Sequence, residues 1–198
     1  MQRTFWVIVA VIAMAVFFVG RNAQSSYNQM IELQEAAVAQ WGQVRNVYQR
    51  RADLIPNVVS TVQGVAEFEQ KTLQGIIEAR AKVSQLTIDT EVVANPQLME
   101  EFITAQRDLS QSLGRLLVIY EQYPTLRANQ SFEALVVELE GSENRISVER
   151  RRYNEKAREY NTYIRRFPNM LYAQVFGFEA IEYFKGDPGI EEQPKVEF

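Results

Sequence analysis

The sequence predicts an all-α protein: one N-terminal transmembrane helix followed by a long antiparallel bundle of about four helices. Three observations carry that reading. Residues Phe5 to Gly20 contain no charge and no amide. Downstream of Tyr27, apolar side chains recur at steps of three and four, the spacing of one helix face. No segment shows the apolar–polar alternation of a strand.

The first element is the run FWVIVAVIAMAVFFVG. As a helix rising 1.5 Å per residue it is ~24 Å long. Thr4, with Arg3 and Arg21 snorkelling from either end, extends it toward the ~30 Å hydrocarbon core of a bilayer. The anchor side chains are Phe5, Trp6, Val7, Ile8, Val11, Ile12, Met14, Phe17 and Phe18, with Trp6 near the boundary that indoles prefer. A cleaved signal peptide is the rival reading. Its apolar stretch is ordinarily ~7–15 residues and ends in a small-x-small site. This run is longer, and Val19-Gly20-Arg21-Asn22-Ala23 is a poor site of that kind. Arg3 and the α-amino group precede the span while Arg21 follows it. The positive-inside rule therefore leans toward an extracytoplasmic body by a margin of one charge. The expected organisation is an anchor over 1–22, a helical body over 23–186 and a loose tail over 187–198.

In the body, Met30, Leu33, Ala37, Trp41, Val44, Tyr48, Ile55, Val58, Val62 and Val65 form one stripe. It stays in phase through Pro56, which predicts a kink near Asn57 rather than a chain reversal. A bend is expected between Phe68 and Leu73, then a helix to about Leu86 with Ile76, Ile77 and Val83 inward. Residues 87–95 read as a loop. Asn95-Pro96 is a helix start, because Asn caps and Pro is tolerated at the first position. The next stripe is Leu98, Phe102, Ala105, Leu109, Leu113, Leu116 and Tyr120, ended by Tyr123-Pro124. The last long helix begins near Asn129 or Ser131. Phe132, Leu139, Ile146, Tyr153, Tyr160 and Phe167 recur in it every seven residues, the repeat that keeps one seam against a partner helix. The aromatic stretch Leu171–Phe184 is expected to fold back on the bundle end or to lie at the membrane surface.

Composition narrows the chemistry. The 198 residues carry 21 Lys+Arg against 25 Asp+Glu, a net charge of −4 that disfavours nucleic acid. There is no cysteine and no histidine. Thiolate catalysis, disulfides, cysteine-linked lipid, Ser-His-Asp triads and histidine metal sites are all excluded. No catalytic, cofactor-binding or metal-binding residue is assigned, and no cofactor is expected. Close acid pairs such as Glu67/Glu69 and Glu138/Glu140 face different ways on a helix and make no acid–base pair.

The polar residues singled out are structural. Arg50, Arg51 and Asp53 precede Pro56, whose ring frees a backbone carbonyl that Asn57 or an arginine is placed to satisfy. Glu143 and Arg150 lie one heptad apart on the seam, and Arg115 is expected to reach one of them. A buried carboxylate with arginine partners would fix helix register. Tyr27-Asn28, Tyr153-Asn154 and Tyr160-Asn161 repeat one pair type, rings packing and amides binding backbone or each other at bundle layers, with a peptide- or glycan-binding face as the alternative.

The blocks YNQMIELQEAAVAQWGQV, QRRADLIPNVVSTVQGVAEFE and LQGIIEARAKV resemble the LemA family. So do LGRLLVIYEQYPTLRANQSFEALVVELEGSENRI, RRRYNEKAREYNTYIRRFPNMLYAQVFGFEAIEYF and the final PKVEF. The likeness runs over essentially the whole chain. Phe68 stands where the family commonly has a histidine, which argues against a family-wide metal role there. The resemblance implies a membrane helix, an antiparallel helical body and no established catalytic activity. It also implies association with magnetosome membranes in one member, and genomic neighbours that include membrane metalloproteases and TPM-domain proteins. On orientation it points opposite to the charge rule, with the short N-terminus outside the cell. The function expected is a non-catalytic scaffold or adaptor of the bacterial envelope, bound to the lipid bilayer and to other membrane proteins, and homo-oligomeric. The alternative is an accessory subunit of a membrane enzyme or protease system with a buried carboxylate site near Glu143.

Overall fold

The structure is a computed structural model that describes residues 2–64, 69–86 and 90–185. Its first element is one unbroken helix, α1 (Gln2–Gln63), 62 residues long. At 1.5 Å per residue it spans ~93 Å, about three times the hydrocarbon thickness of a bilayer. Residues 2–22 are exposed throughout, Phe5, Trp6, Ile12, Phe17 and Phe18 among them. From Ser26 onward its apolar stripe turns inward, and Met30, Ala37, Trp41, Val44, Tyr48, Ile55, Val58 and Val62 are buried. Val65 and Phe68 lie outside the described residues.

Pro56 sits inside α1 without ending it. Proline has no N–H, so the carbonyl four residues earlier, that of Ala52, loses its helical donor. Arg80 supplies one, its Nε donating to the Ala52 carbonyl at 3.2 Å. Of the two expected donors, Asn57 or an arginine, it is thus an arginine, and it comes from the next helix, α2 (Gln70–Gln85). Within α2, Leu73, Ile76, Ala79 and Val83 face inward. Ile77, expected inward, is 46% exposed, because it falls one step off the face that Leu73, Ile76 and Val83 define.

Where a loop was expected, a single turn, α3 (Glu91–Ala94), buries Val92 and Val93. The helix α4 (Pro96–Ile119) follows, capped by the Asn95 side chain, which accepts from the N–H groups of Gln97 and Leu98 at 3.0 and 3.3 Å. One 3-10 turn at Tyr120–Gln122 and the short α5 (Pro124–Arg127) close that corner. Asn129 then caps α6 (Gln130–Arg165), accepting from Ser131 and Phe132 N–H at 3.0 and 3.2 Å. The chain ends its described course in α7 (Asn169–Phe176) and a non-helical strap over 177–185.

Helices α1 and α6 are the main pair and run antiparallel. Arg50 meets Glu138 at 3.0 Å, Gln40 meets Glu149 at 2.6 Å, and Ser26 meets Asn169 at 3.0 Å. Helices α2 and α4 form the second pair. Among the described residues every regular element is helical.

The apolar interior is divided in two. One half joins Ile55, Val58 and Val62 to Ile76, Leu109, Leu116, Phe132 and Leu139. The other joins Met30, Trp41 and Tyr48 to Phe102, Ile146, Tyr153, Tyr160 and Phe184. The expected seam residues Phe132, Leu139, Ile146, Tyr153 and Tyr160 lie in these halves, but Phe167 does not. It is 79% exposed, because α6 stops at Arg165, short of a proline whose preceding residue avoids helical geometry.

Candidate functional site

Between the two apolar halves lies a polar layer built on Arg51, which is 1% exposed. On α1 it sits one turn after Tyr48 and one before Ile55, so the same stripe that makes the core delivers a guanidinium into it. Its Nη1 donates to a Glu143 carboxylate oxygen and to Ser110 Oγ, the latter at 2.6 Å. Its Nη2 donates to Gln106 Oε1 at 2.5 Å and to the Gln106 carbonyl at 3.3 Å. The Tyr48 ring lies beneath the guanidinium, 5.2 Å from centroid to carbon, in the attractive range for a cation over a ring.

Two donors remain without a partner, Arg51 Nε and Gln106 Nε2. Glu143, expected to be the buried member, is 46% exposed on its side chain, and the arginine is the buried one. Neither expected partner reaches it. Arg115 is exposed, and Arg150 lies over the Phe184 ring at 4.8 Å and donates to the Lys185 carbonyl at 3.3 Å. Both are a turn or more away from the layer on their helices. Arg50 takes the surface pair with Glu138, and Asp53 accepts from Gln49 at 2.8 Å. The Asn57 carbonyl accepts from Thr61 Oγ1 at 2.8 Å, a bond within its own helix.

A cleft of about 260 Å³ opens beside this layer between α1, α2 and α4, lined in part by Arg45, Gln49, Arg80, Ser84 and Gln106. Among the described residues that line it there is no carboxylate, so these offer neither an acid–base pair nor ligands for a hard cation. Among the described residues no group of three acidic side chains is placed to hold a metal.

The second site is the strap. Asn161 on α6 pairs with both polar groups of Ile181, donating to its carbonyl at 2.8 Å and accepting from its N–H at 2.9 Å. Asn154 does the same to Phe184 at 2.8 and 2.9 Å. Tyr160 donates to the Glu179 carbonyl at 2.9 Å and Tyr153 to the Glu182 carbonyl at 2.7 Å. The spacing explains why a heptad repeat can do this. Seven helical residues rise ~10.5 Å, and three residues of extended chain cover nearly the same length. Each Tyr-Asn pair thus meets the strap in equivalent register. On its other edge Glu182 N–H donates to the Val93 carbonyl at 2.9 Å.

Phe184 fills the aromatic centre, stacked on Trp41 at 5.8 Å and edge-on to Tyr153 at 5.5 Å. Burial, and then the Glu179 charge, push the Tyr160 hydroxyl up to about 12. Burial, with Glu182 and Tyr183, raises Tyr153 well above the usual phenol value. At Gly177 the backbone is left-handed (φ 74°), which lets α7 end and the chain turn back along α6.

The α1–α6 core from residue 40 onward and the heptad-spaced Tyr-Asn ladder fall inside the region matched by a family model. The description of that model is LemA family, and it covers residues 40–198. The chain belongs to the LemA family. The match begins within α1, past the apolar segment. Among curated relatives, Magnetosome protein MamQ of Magnetospirillum gryphiswaldense is 26% identical over 178 residues, 82% of this chain and 65% of its own length. Magnetosome protein MamQ 1 of Paramagnetospirillum magneticum matches to the same extent. This LemA-family chain therefore spans slightly less than two thirds of those relatives. Protein LemA of Metamycoplasma hominis is 24% identical over 187 residues, covering 93% of this chain and 79% of its own.

For a LemA-family body the structure brings Arg51 and Glu143 together and leaves Arg115, Arg150 and Asp53 elsewhere. Sequence reading missed Gln106, Ser110, Arg80 and the strap anchors Ile181 and Phe184. The rule that proline frees the carbonyl four residues back identifies Ala52, but nothing local names its donor. For the strap the signal was present: two Tyr-Asn pairs seven residues apart are backbone-binding groups in register.

Proposed function

We propose that this LemA-family protein is a non-catalytic, single-pass scaffold of the bacterial plasma membrane, its helical body held outside the cytoplasm. It acts through helix contacts with other membrane proteins and with copies of itself. The observation that carries the reading is α1, in which an exposed apolar segment and a core helix are one continuous 62-residue element. That segment is near the N-terminus, is long and apolar enough to cross a bilayer, and has no part buried in the body. An isolated stretch of such side chains in water is costly at ~25 cal/mol per Å² of apolar surface, and lipid removes the cost. A binding role is supported by a polar centre whose one buried cation is already held by Glu143, Ser110 and Gln106. The names of the magnetosome relatives fit work at a specialised membrane, and membrane metalloproteases or TPM-domain proteins are the candidate partners.

The test is extraction and crosslinking of the full chain from its native membranes. Retention through alkaline carbonate, protease access to the body only from the extracytoplasmic face, and reproducible crosslinked species of higher mass are the expected results. Release by carbonate, or a strictly monomeric protein without any repeatable partner, overturns the proposal.

A further inference from the structure

The end of the body beside the apolar segment has an unusual surface. Phe167 and Val175 are each 79% exposed, and Met170, Leu171 and Phe176 are also exposed. Single exposed apolar side chains are ordinary, but a contiguous set on one short helix and its leading turn marks a contact surface. Its place on α1 is fixed at both ends of α7. Ser26 Oγ donates to Asn169 Oδ1 at 3.0 Å, and the Tyr27 ring meets the Phe176 ring at 5.0 Å. The two ends of α7 therefore lie at neighbouring residues of α1, so α7 runs across the axis of α1 rather than along it. With α1 crossing a bilayer, α7 lies parallel to the membrane plane.

The height also matches. Ser26 is six residues beyond Gly20, ~9 Å along the helix, and the headgroup zone extends ~5–8 Å past the hydrocarbon edge. Apolar side chains projecting from α7 and from the turn before it bridge that small difference. Charge is sorted in the same way. No Asp or Glu occurs in residues 1–31 or 160–178, whereas Arg21, Arg165 and Arg166 do occur there. Arg165 and Arg166 are exposed. Apolar side chains flanked by cations and free of carboxylates are the composition of helices that lie in the lipid interface.

We infer that α7 and the Arg165–Pro168 turn form a lipid-contacting foot. Phe167, Leu171 and Val175 enter the interface, and Arg165 and Arg166 contact anionic headgroups. The foot deepens the proposed function and rests on α1 spanning the bilayer. It gives the body a second point of attachment, so the bundle is seated on the membrane rather than swinging from one helix.

The absence of cysteine makes the test clean. Single variants Phe167→Cys, Val175→Cys, Val137→Cys and Ile12→Cys of the full chain carry an environment-sensitive fluorophore. They are reconstituted in phosphatidylcholine vesicles with and without phosphatidylglycerol, some containing lipid-borne quenchers. The expected result is lipid quenching at positions 12, 167 and 175 but not 137, with several-fold lower iodide access at 167 and 175 than at 137. Arg165→Gln with Arg166→Gln should restore iodide access chiefly in the phosphatidylglycerol vesicles. Position 12 quenched by lipid while 167 and 175 stay as water-accessible as 137 overturns the foot and leaves the span intact. No lipid quenching at position 12 overturns the span itself. Shielding from iodide without lipid quenching at 167 and 175 assigns the surface to protein contact and also overturns the foot.

Discussion

Replacing Arg51 by methionine and Gln106 by leucine together should leave the bundle as stable as before, or more so. Arg51 is 1% exposed and Gln106 3% exposed, and each holds a donor with no partner. Taking a guanidinium out of water costs several kcal/mol, and exchanging a buried ionic group for well-packed apolar side chains is often neutral or stabilising by ~1–4 kcal/mol. The carboxylate left behind is not stranded, because Glu143 is already 46% exposed and Ser110 Oγ donates to it at 3.3 Å. Arg51→Met alone is different. It leaves the Gln106 amide buried with its oxygen unpaired as well, which costs ~1–3 kcal/mol. Glu143→Ala is different again, because the cation stays buried with only neutral partners. Breaking a fully buried pair costs ~3–5 kcal/mol, so with water able to reach this one a loss of ~1–3 kcal/mol is expected. The order of stability should be double variant, wild type, then the two single variants. Urea unfolding followed by Trp41 fluorescence in a Trp6→Phe background reads it directly, since the chain has two tryptophans. A double variant less stable than Glu143→Ala would refute the reasoning, because the layer would then be a net source of stability and not a device that fixes register between two apolar halves.

Further expectations follow from the strap. Asn161→Ala leaves the N–H and carbonyl of Ile181 buried without partners and should cost ~2–5 kcal/mol, with Asn154→Ala costing less because its site is only part-buried; denaturant midpoints rank them. Phe184→Ala opens a void among Trp41, Phe102 and Tyr153 and should cost ~3–5 kcal/mol, seen also as a red shift of Trp41 emission. Tyr160 titrates near 10 when unfolded and at about 12 when folded. Its contribution to stability is complete below pH ~10 and is lost as pH rises toward the folded value. Thermal unfolding midpoints should fall over that window, and less steeply in Tyr160→Phe.

Much of the fold was legible because it depends on local signals. Asn95-Pro96 and Asn129 cap helices through their own side chains, and the stripes of α1, α4 and α6 follow from helical period alone. The apolar start of the chain was equally plain. What escaped depends on which helix stands opposite. Helical spacing puts Arg51 on the stripe between Tyr48 and Ile55, but only packing decides that Glu143 and Gln106 stand opposite it and that Arg115 and Arg150 meet neither. Arg80 reaches the Ala52 carbonyl across 28 residues of sequence for the same reason. The heptad was carried too far at Phe167, where backbone sterics before Pro168 outweigh periodicity. The strap is not singled out within the stretch expected to fold back or lie at the membrane surface, because its hold comes from side chains on α6 and leaves no period in the strap itself.

The order in which the chain is made gives the strap a further meaning. The ring that completes the aromatic centre, Phe184, follows every helix of the described residues in sequence. As the polypeptide leaves the ribosome, α6 can dock on α1 while Trp41, Phe102 and Tyr153 still enclose a gap. Closure of that gap waits on the strap, so a chain truncated before Ile181 would keep an unfilled space among Trp41, Phe102 and Tyr153.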